Sequence, residues 1–220
     1  MDTEQRDDVS RRVGNFSHAA HTLFNTVIGY TDILRRDDPS LDLAAEERRE
    51  YAEIAYQACS RLVDVWAVTS EYLLFKYQPV ELTPEAVRLD DLIARVQGFM
   101  ESRGADIQVT LAEDLPQVRG DLRWLCNAIL GCLADLCSQT RPYREKHAYI
   151  LSAQGTDDGL VLIRIRAESR GEHVYGPGGI GTDMARLVVE QLGGRLTFDG
   201  GGREATIDLV VLPWETGAPE

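Results

Sequence analysis

Residues 9–34 read VSRRVGNFSHAAHTLFNTVIGYTDIL. Apolar side chains fall at Val9, Val13, Phe16, Ala20, Leu23, Val27, Tyr30 and Leu34, in steps that alternate four and three. That spacing is a heptad seam, which keeps one stripe of a helix facing a neighbouring helix. The pattern predicts a helix running to about Arg36, where Asp37, Asp38, Pro39 and Ser40 break it. A second seam follows at Tyr51, Ala55, Ala58, Leu62, Val65, Thr69 and Tyr72. Glu46, Glu47 and Glu50 suit the start of this helix, where the macrodipole favours negative charge. Gln78-Pro79 marks its end. Two long helices and a short loop make an antiparallel hairpin over roughly residues 6 to 76.

A lone hairpin leaves apolar flanks uncovered at Phe24, Ile28, Ile33, Ile54, Trp66 and Leu73. The economical solution is a homodimer in which two hairpins form a four-helix bundle. The alternative is that the hairpin packs only on the rest of its own chain. His18 lies two residues after seam position Phe16, at the heptad position directed away from the partner helices. Arg11, Asn25 and Asp32 share this outer stripe, and Thr22 lies one turn after His18.

The second half has mixed patterning. Residues 85–102 read as a helix, with Leu89, Leu92, Ile93, Val96 and Met100 on one face. Ile107, Val109 and Leu111 alternate as a strand, and Leu122 to about Ser138 reads as a helix. Strands are expected at Tyr149–Ala153 and Leu160–Arg166, joined by the turn residues Gly155 to Gly159. A helix from Asp183 to Leu192 ends at Gly193-Gly194, and a hairpin turning at residues 200–202 closes the chain. Helices on one face of a mixed sheet make an α+β sandwich. The expected domains are 1–80 and 81–220, with the boundary near Pro79 to Pro84.

Composition narrows the function classes. The 220 residues carry a formal net charge of −13, which disfavours nucleic acid or an anionic membrane as partner. No apolar run approaches the roughly 20 residues needed to span a bilayer. The polar, acidic start is no signal peptide, so a cytoplasmic location is expected. Cys59, Cys126, Cys132 and Cys137 lack zinc-site spacing and read as small reduced core residues; no metal site is expected. Gly176, Gly178, Gly179 and Gly181 precede a helix and would suit either a phosphate cradle or a tight strand-to-helix turn. With no Lys or Mg²⁺ ligand beside them, the turn is the favoured reading.

The run Phe16-Ser17-His18-Ala19-Ala20-His21-Thr22-Leu23-Phe24-Asn25 resembles the phosphoacceptor box of sensor histidine kinases. Residues 87–93, 114–121 and 178–196 resemble, in order, further stretches of that family's ATP-binding domain. The resemblance implies a dimerisation and phosphoacceptor hairpin, then a sandwich of the histidine-kinase ATPase type. It makes His18 the phosphoacceptor. It gives Thr22 the place of a residue that orients water when a receiver domain is dephosphorylated. His21, where the family usually has arginine, is expected to be a solvated helix residue.

The departures matter as much. The family's acidic residue after the histidine is Ala19 here. Its two helix asparagines fall on Gly131 and Asp135, of which Asp135 retains oxygen ligands for a metal. The aspartate that would read the adenine amine is Ala167, unless the strand is displaced by one residue and Glu168 takes its place; alternation through Ile163 and Ile165 favours Ala167. The segment from Gly171 to Gly178 is short for an ATP lid. Losing an acid–base partner costs about 10²–10⁴ in rate. Losing a polar contact to the substrate edge costs about 10⁴–10⁵ in discrimination.

Asp135, Gly171, Gly179 and Gly181 are thus remnants of an ATP site, and neither ATP nor Mg²⁺ is expected as cofactor. The leading expectation is a histidine phosphotransferase that passes phosphoryl groups to or from response-regulator receiver domains through His18, with a sensor kinase as a further candidate partner. A non-catalytic pseudokinase adaptor, a divergent ATP-dependent kinase and a receiver phosphatase are the alternatives. The sequence carries no sensor, transmembrane or receiver segment, so its input is expected to arrive through another protein.

Overall fold

The computed structural model describes residues 3–36, 43–78, 80–102, 105–138, 147–169, 179–200 and 204–215; the side chains of 3–13, 15–16, 18–19, 102, 138, 147 and 169 lie outside that description. Two helices of 33 residues open the chain, α1 (Thr3–Arg35) and α2 (Ala45–Tyr77). The start of α2 is fixed by Glu47, whose carboxylate accepts the Ala44 N–H at 2.9 Å, as an acidic side chain one turn in commonly does. Ala20 on α1 and Ile54, Ala55 and Ala58 on α2 are buried, so Ile54, expected to be an uncovered flank, is covered within the single chain. Tyr30 and Tyr51 bring their ring centroids within 5.2 Å, which pairs the end of α1 with the start of α2. The N-terminal seam positions Val9, Val13 and Phe16 lie outside the described side chains.

The rest is an α+β sandwich. After a short strand β1 (Glu85–Val87) come α3 (Leu89–Ser102), β2 (Ile107–Leu111), β3 (Val118–Gly120) and α4 (Leu122–Ser138). They are followed by β4 (His147–Gly155), β5 (Val161–Ser169), α5 (Ile180–Gln191), β6 (Arg195–Gly200) and β7 (Glu204–Val211). β1 and β3 form an antiparallel pair, and the five-stranded sheet runs β2-β4-β5-β7-β6. Only β2 and β4 are parallel in that sheet, and the connection between them carries α4.

Leu92, Leu125, Ile129 and Leu133 from the helices meet Leu151, Ile163, Ile165, Ile207 and Leu209 from the sheet in one core. The opposite face of β5 is polar. Arg164 grips Asp208 of β7 through two hydrogen bonds of 2.7 and 2.8 Å, and Arg166 pairs with Glu168. Such a one-sided sheet is what alternation in an antiparallel sheet predicts.

Three expectations need correction. Residues 85–87 are a strand, not the first turn of a helix, because they pair with β3 in the register Glu85↔Gly120, Ala86↔Arg119 and Val87↔Val118. The helix at 180–191 begins three residues before Asp183. Cys59 is exposed on α2, whereas Cys132 is fully buried and Cys126 and Cys137 are half-buried; all four are free thiols. Burial pushes the Cys132 thiol well up.

The chain divides into two compact units within α2, between Ser70 and Glu71. The expected boundary near Pro79 falls later because sequence marks where a helix stops, not what its last turns touch. Phase and packing put the last two turns of α2 with the sandwich: Phe75 meets Trp124 edge-on at 5.1 Å, and the Glu71 carboxylate accepts the Asn127 Nδ2 amide at 2.8 Å. Among the described residues no helix is long and apolar enough to cross a membrane.

Candidate functional site

The run from Phe16 to Asn25, expected to hold the phosphoacceptor, lies wholly inside α1, so its residues keep helical spacing. The side chains of Phe16, His18 and Ala19 lie outside the described residues, as does that of Arg11. Thr22, one turn beyond His18, is exposed, and its carbonyl oxygen accepts the Thr26 hydroxyl at 2.9 Å. His21 is exposed and its Nδ1 donates to the Ser17 carbonyl oxygen at 2.7 Å, which ties that ring to its own helix.

Asn25 on the outer stripe is exposed. Asp32 on the same stripe is half-buried between Arg35 at 2.9 Å and Arg36 at 2.7 Å. Hydrogen bonds from Arg35 and then Arg36 hold its carboxyl below the usual carboxylate range. The stripe therefore keeps a polar face where it is described.

The residues expected to be remnants of a nucleotide site belong to the sandwich. Asp135, Gly179 and Gly181 come together there, while Gly171, Gly176 and Gly178 lie outside the described residues. Asp135 projects from the last turns of α4 towards the start of α5. Its Oδ2 accepts the backbone N–H of Gly179 at 2.9 Å and of Thr182 at 2.6 Å, and its Oδ1 accepts that of Gly181 at 3.2 Å. Burial pushes its carboxyl up, while the N–H groups of Thr182, Gly181 and Gly179 pull it back.

Both carboxylate oxygens are thus engaged with backbone, which bears on the expectation that Asp135 offers oxygen to a metal. Among the described residues there is no group of three or more His, Cys, Asp or Glu side chains arranged to hold a metal ion. Gly131, at the other expected asparagine position, is buried against Gly181: a Cβ on Gly131 would lie 3.0 Å from the Gly181 carbonyl oxygen. Ala167 is fully buried on β5, on the same face as Ile163 and Ile165, opposite Tyr149 and Ala205. Glu168 points to the other face beside Arg166. The alternation that favoured Ala167 over Glu168 is the alternation the strand has.

Thr182, fully within the core at 1% exposure, had drawn no attention in the sequence. The signal for it was indirect. A half-buried carboxylate on an apolar helix such as α4 must find donors, and the N–H groups at the start of a later helix are the ready supply.

No family model matches the sequence, and no curated protein matches it. Solved structures do match the fold. The histidine kinase AdeS of Acinetobacter baumannii superposes with a TM-score of 0.59 at 13% identity, covering 90% of this chain and 98% of that one. Full-length ShkA, solved in complex with AMPPNP, superposes with a TM-score of 0.56 at 18% identity. That match covers 94% of this chain, which spans 47% of the ShkA chain. A helical hairpin followed by a five-stranded mixed sheet carrying its helices on one face is a histidine-kinase-like core. The second unit has the fold of that class's ATPase-type sandwich.

Proposed function

We propose that this chain is a histidine phosphotransferase of two-component signalling, working as a homodimer and exchanging phosphoryl groups with response-regulator receiver domains through His18. The reading rests chiefly on one contrast. An acceptor box is kept on α1 of a histidine-kinase-like core, while the sandwich carries a buried Ala167 where adenine would be read. Asp135, turned onto the chain's own backbone, points the same way.

The chemistry asks little of this chain. A neutral imidazole nitrogen of His18 attacks the phosphorus of a receiver's aspartyl phosphate. A P–N bond forms, the P–O bond breaks, and the aspartate leaves as a carboxylate. The imidazole proton passes to solvent. The receiver supplies the Mg²⁺, so neither ATP nor a metal site on this chain is required. The role of α1 is to carry His18 on a stiff helix that a receiver can approach.

The test mixes the protein with labelled ATP, and separately with a panel of receiver domains carrying labelled aspartyl phosphate. Label should reach the wild-type protein from a receiver and not from ATP, and His18→Ala should abolish it. Label retained by His18→Ala would overturn the proposal. So would a receiver that docks without transferring label, which is the behaviour of an adaptor. Label arriving directly from ATP would make the protein a kinase instead.

A further inference from the structure

The start of an α-helix leaves its first N–H groups without partners in the helix, and together with the dipole they form a natural anion site. At the start of α5 three of these groups are already taken. The N-cap residue is Gly179, which has no side chain to cap with. The cap comes from α4, 44 residues earlier, where Asp135 gathers the N–H groups of Gly179, Gly181 and Thr182 on its two oxygens. A single carboxylate collecting three backbone N–H groups does what a bound phosphate does at such a site.

The backbones also leave no gap beside it. Any Cβ on Gly181 would overlap the Gly131 carbonyl group, and one on Gly179 would lie 2.6 Å from Asp135 Oδ1. With a larger side chain at 131 or 181, the two helices would have to stand further apart.

We infer that the Asp135 carboxylate is the resident anion of this cradle. It holds the first turn of α5 down on α4 and keeps phosphate groups out of the site that the fold otherwise offers them. The sandwich is therefore closed by its own side chain, in addition to carrying Ala167 where the adenine amine would be read. The inference concerns the sandwich alone and stands whether or not His18 carries a phosphoryl group.

The full chain is titrated with sodium tripolyphosphate while the amide resonances of Gly179, Gly181 and Thr182 are followed, in wild type and in Asp135→Ala and Asp135→Asn. In the wild type these amides should exchange slowly with solvent and stay in place as the anion is added. In Asp135→Ala they should move saturably, with apparent affinity at least about tenfold above any wild-type response. Asp135→Asn, which keeps an acceptor oxygen but not the charge, should fall between.

Wild-type amides that follow the added anion, or that exchange as fast as exposed ones, overturn the inference. So does a folded Asp135→Ala chain with no gain. If Asp135→Ala does not fold, the wild-type titration and exchange rates decide the matter alone.

Discussion

Glu71 sets a polar contact where the last turns of α2 meet α4. It accepts from Asn127 at 2.8 Å, and burial raises its carboxyl above the ordinary value of 4.5, with the Arg123 charge opposing. A raised folded-state pKa means that the folded chain holds this proton more tightly than the unfolded one. The stabilisation is complete below the unfolded value and is lost as pH rises through the folded value. Glu71→Gln keeps an oxygen for the Asn127 amide and removes the titration. Urea midpoints measured from pH 4.5 upward should therefore drift in favour of the Gln variant and level off once the raised folded-state value is passed. A wild type that gains on the variant over that range would contradict this account. Single residues differ in how readable they were. Ala167 was legible because strand alternation has a period of two and its neighbours Ile163 and Ile165 fix the phase. The role of Asp135 was not, because its partners are backbone N–H groups 44 or more residues away, and backbone carries no residue code.

At the scale of elements, α4 and α5 approach through two glycines that are not equivalent. A methyl on Gly131 would sit 3.0 and 3.1 Å from the Gly181 oxygen and Cα, tight but adjustable by a small shift. A methyl on Gly181 would overlap the Gly131 carbonyl group, and α5 would have to move off α4 and out of reach of Asp135. Gly131→Ala also gains about 1 kcal/mol of helix propensity, which offsets part of its crowding. Gly181→Ala receives no such relief at the first turn and strains three capping hydrogen bonds, so it should cost about 2–3 kcal/mol. Denaturant unfolding of the two variants should rank Gly131→Ala well above Gly181→Ala, and the reverse order would mean that the close approach is not what holds α5. The other end of α5 was readable in advance. Gly193 takes a positive φ of 88°, its N–H reaches the Glu190 carbonyl at 3.0 Å and that of Gly194 reaches Val189 at 2.9 Å, which is the glycine-terminated helix end that Gly193-Gly194 signals. The strand β1 was unreadable for a different reason. Three residues with one buried side chain, Val87, are too few to show a period of two beside the apolar run of α3.

At the scale of the whole molecule, the hairpin unit leaves more apolar surface uncovered than a single copy can hide. Phe24 is 49% exposed, Ile28 61%, Val63 62% and Trp66 64%. On α1 and α2 these residues flank the seams rather than occupy them, which is where a second hairpin would lie in a four-helix bundle. Scattered exposed apolar side chains are ordinary, whereas a row of large ones along long helices is what the proposed homodimer would cover. The seams showed this hairpin early because a heptad repeat sustained over 26 residues is a strong signal. They could not show which flanks stay bare, since that depends on the partner surface. If two hairpins close on one another, light scattering should give about twice the chain mass of 24.5 kDa. Phe24→Glu combined with Trp66→Glu would then place two charges in each half of a shared apolar seam and should yield monomers at micromolar concentration. The substituted positions are exposed in the single chain, so its helical signal should persist while the mass halves. A wild type that scatters as a monomer would sink the bundle. A doubly substituted chain that stays a dimer would move the interface away from these flanks.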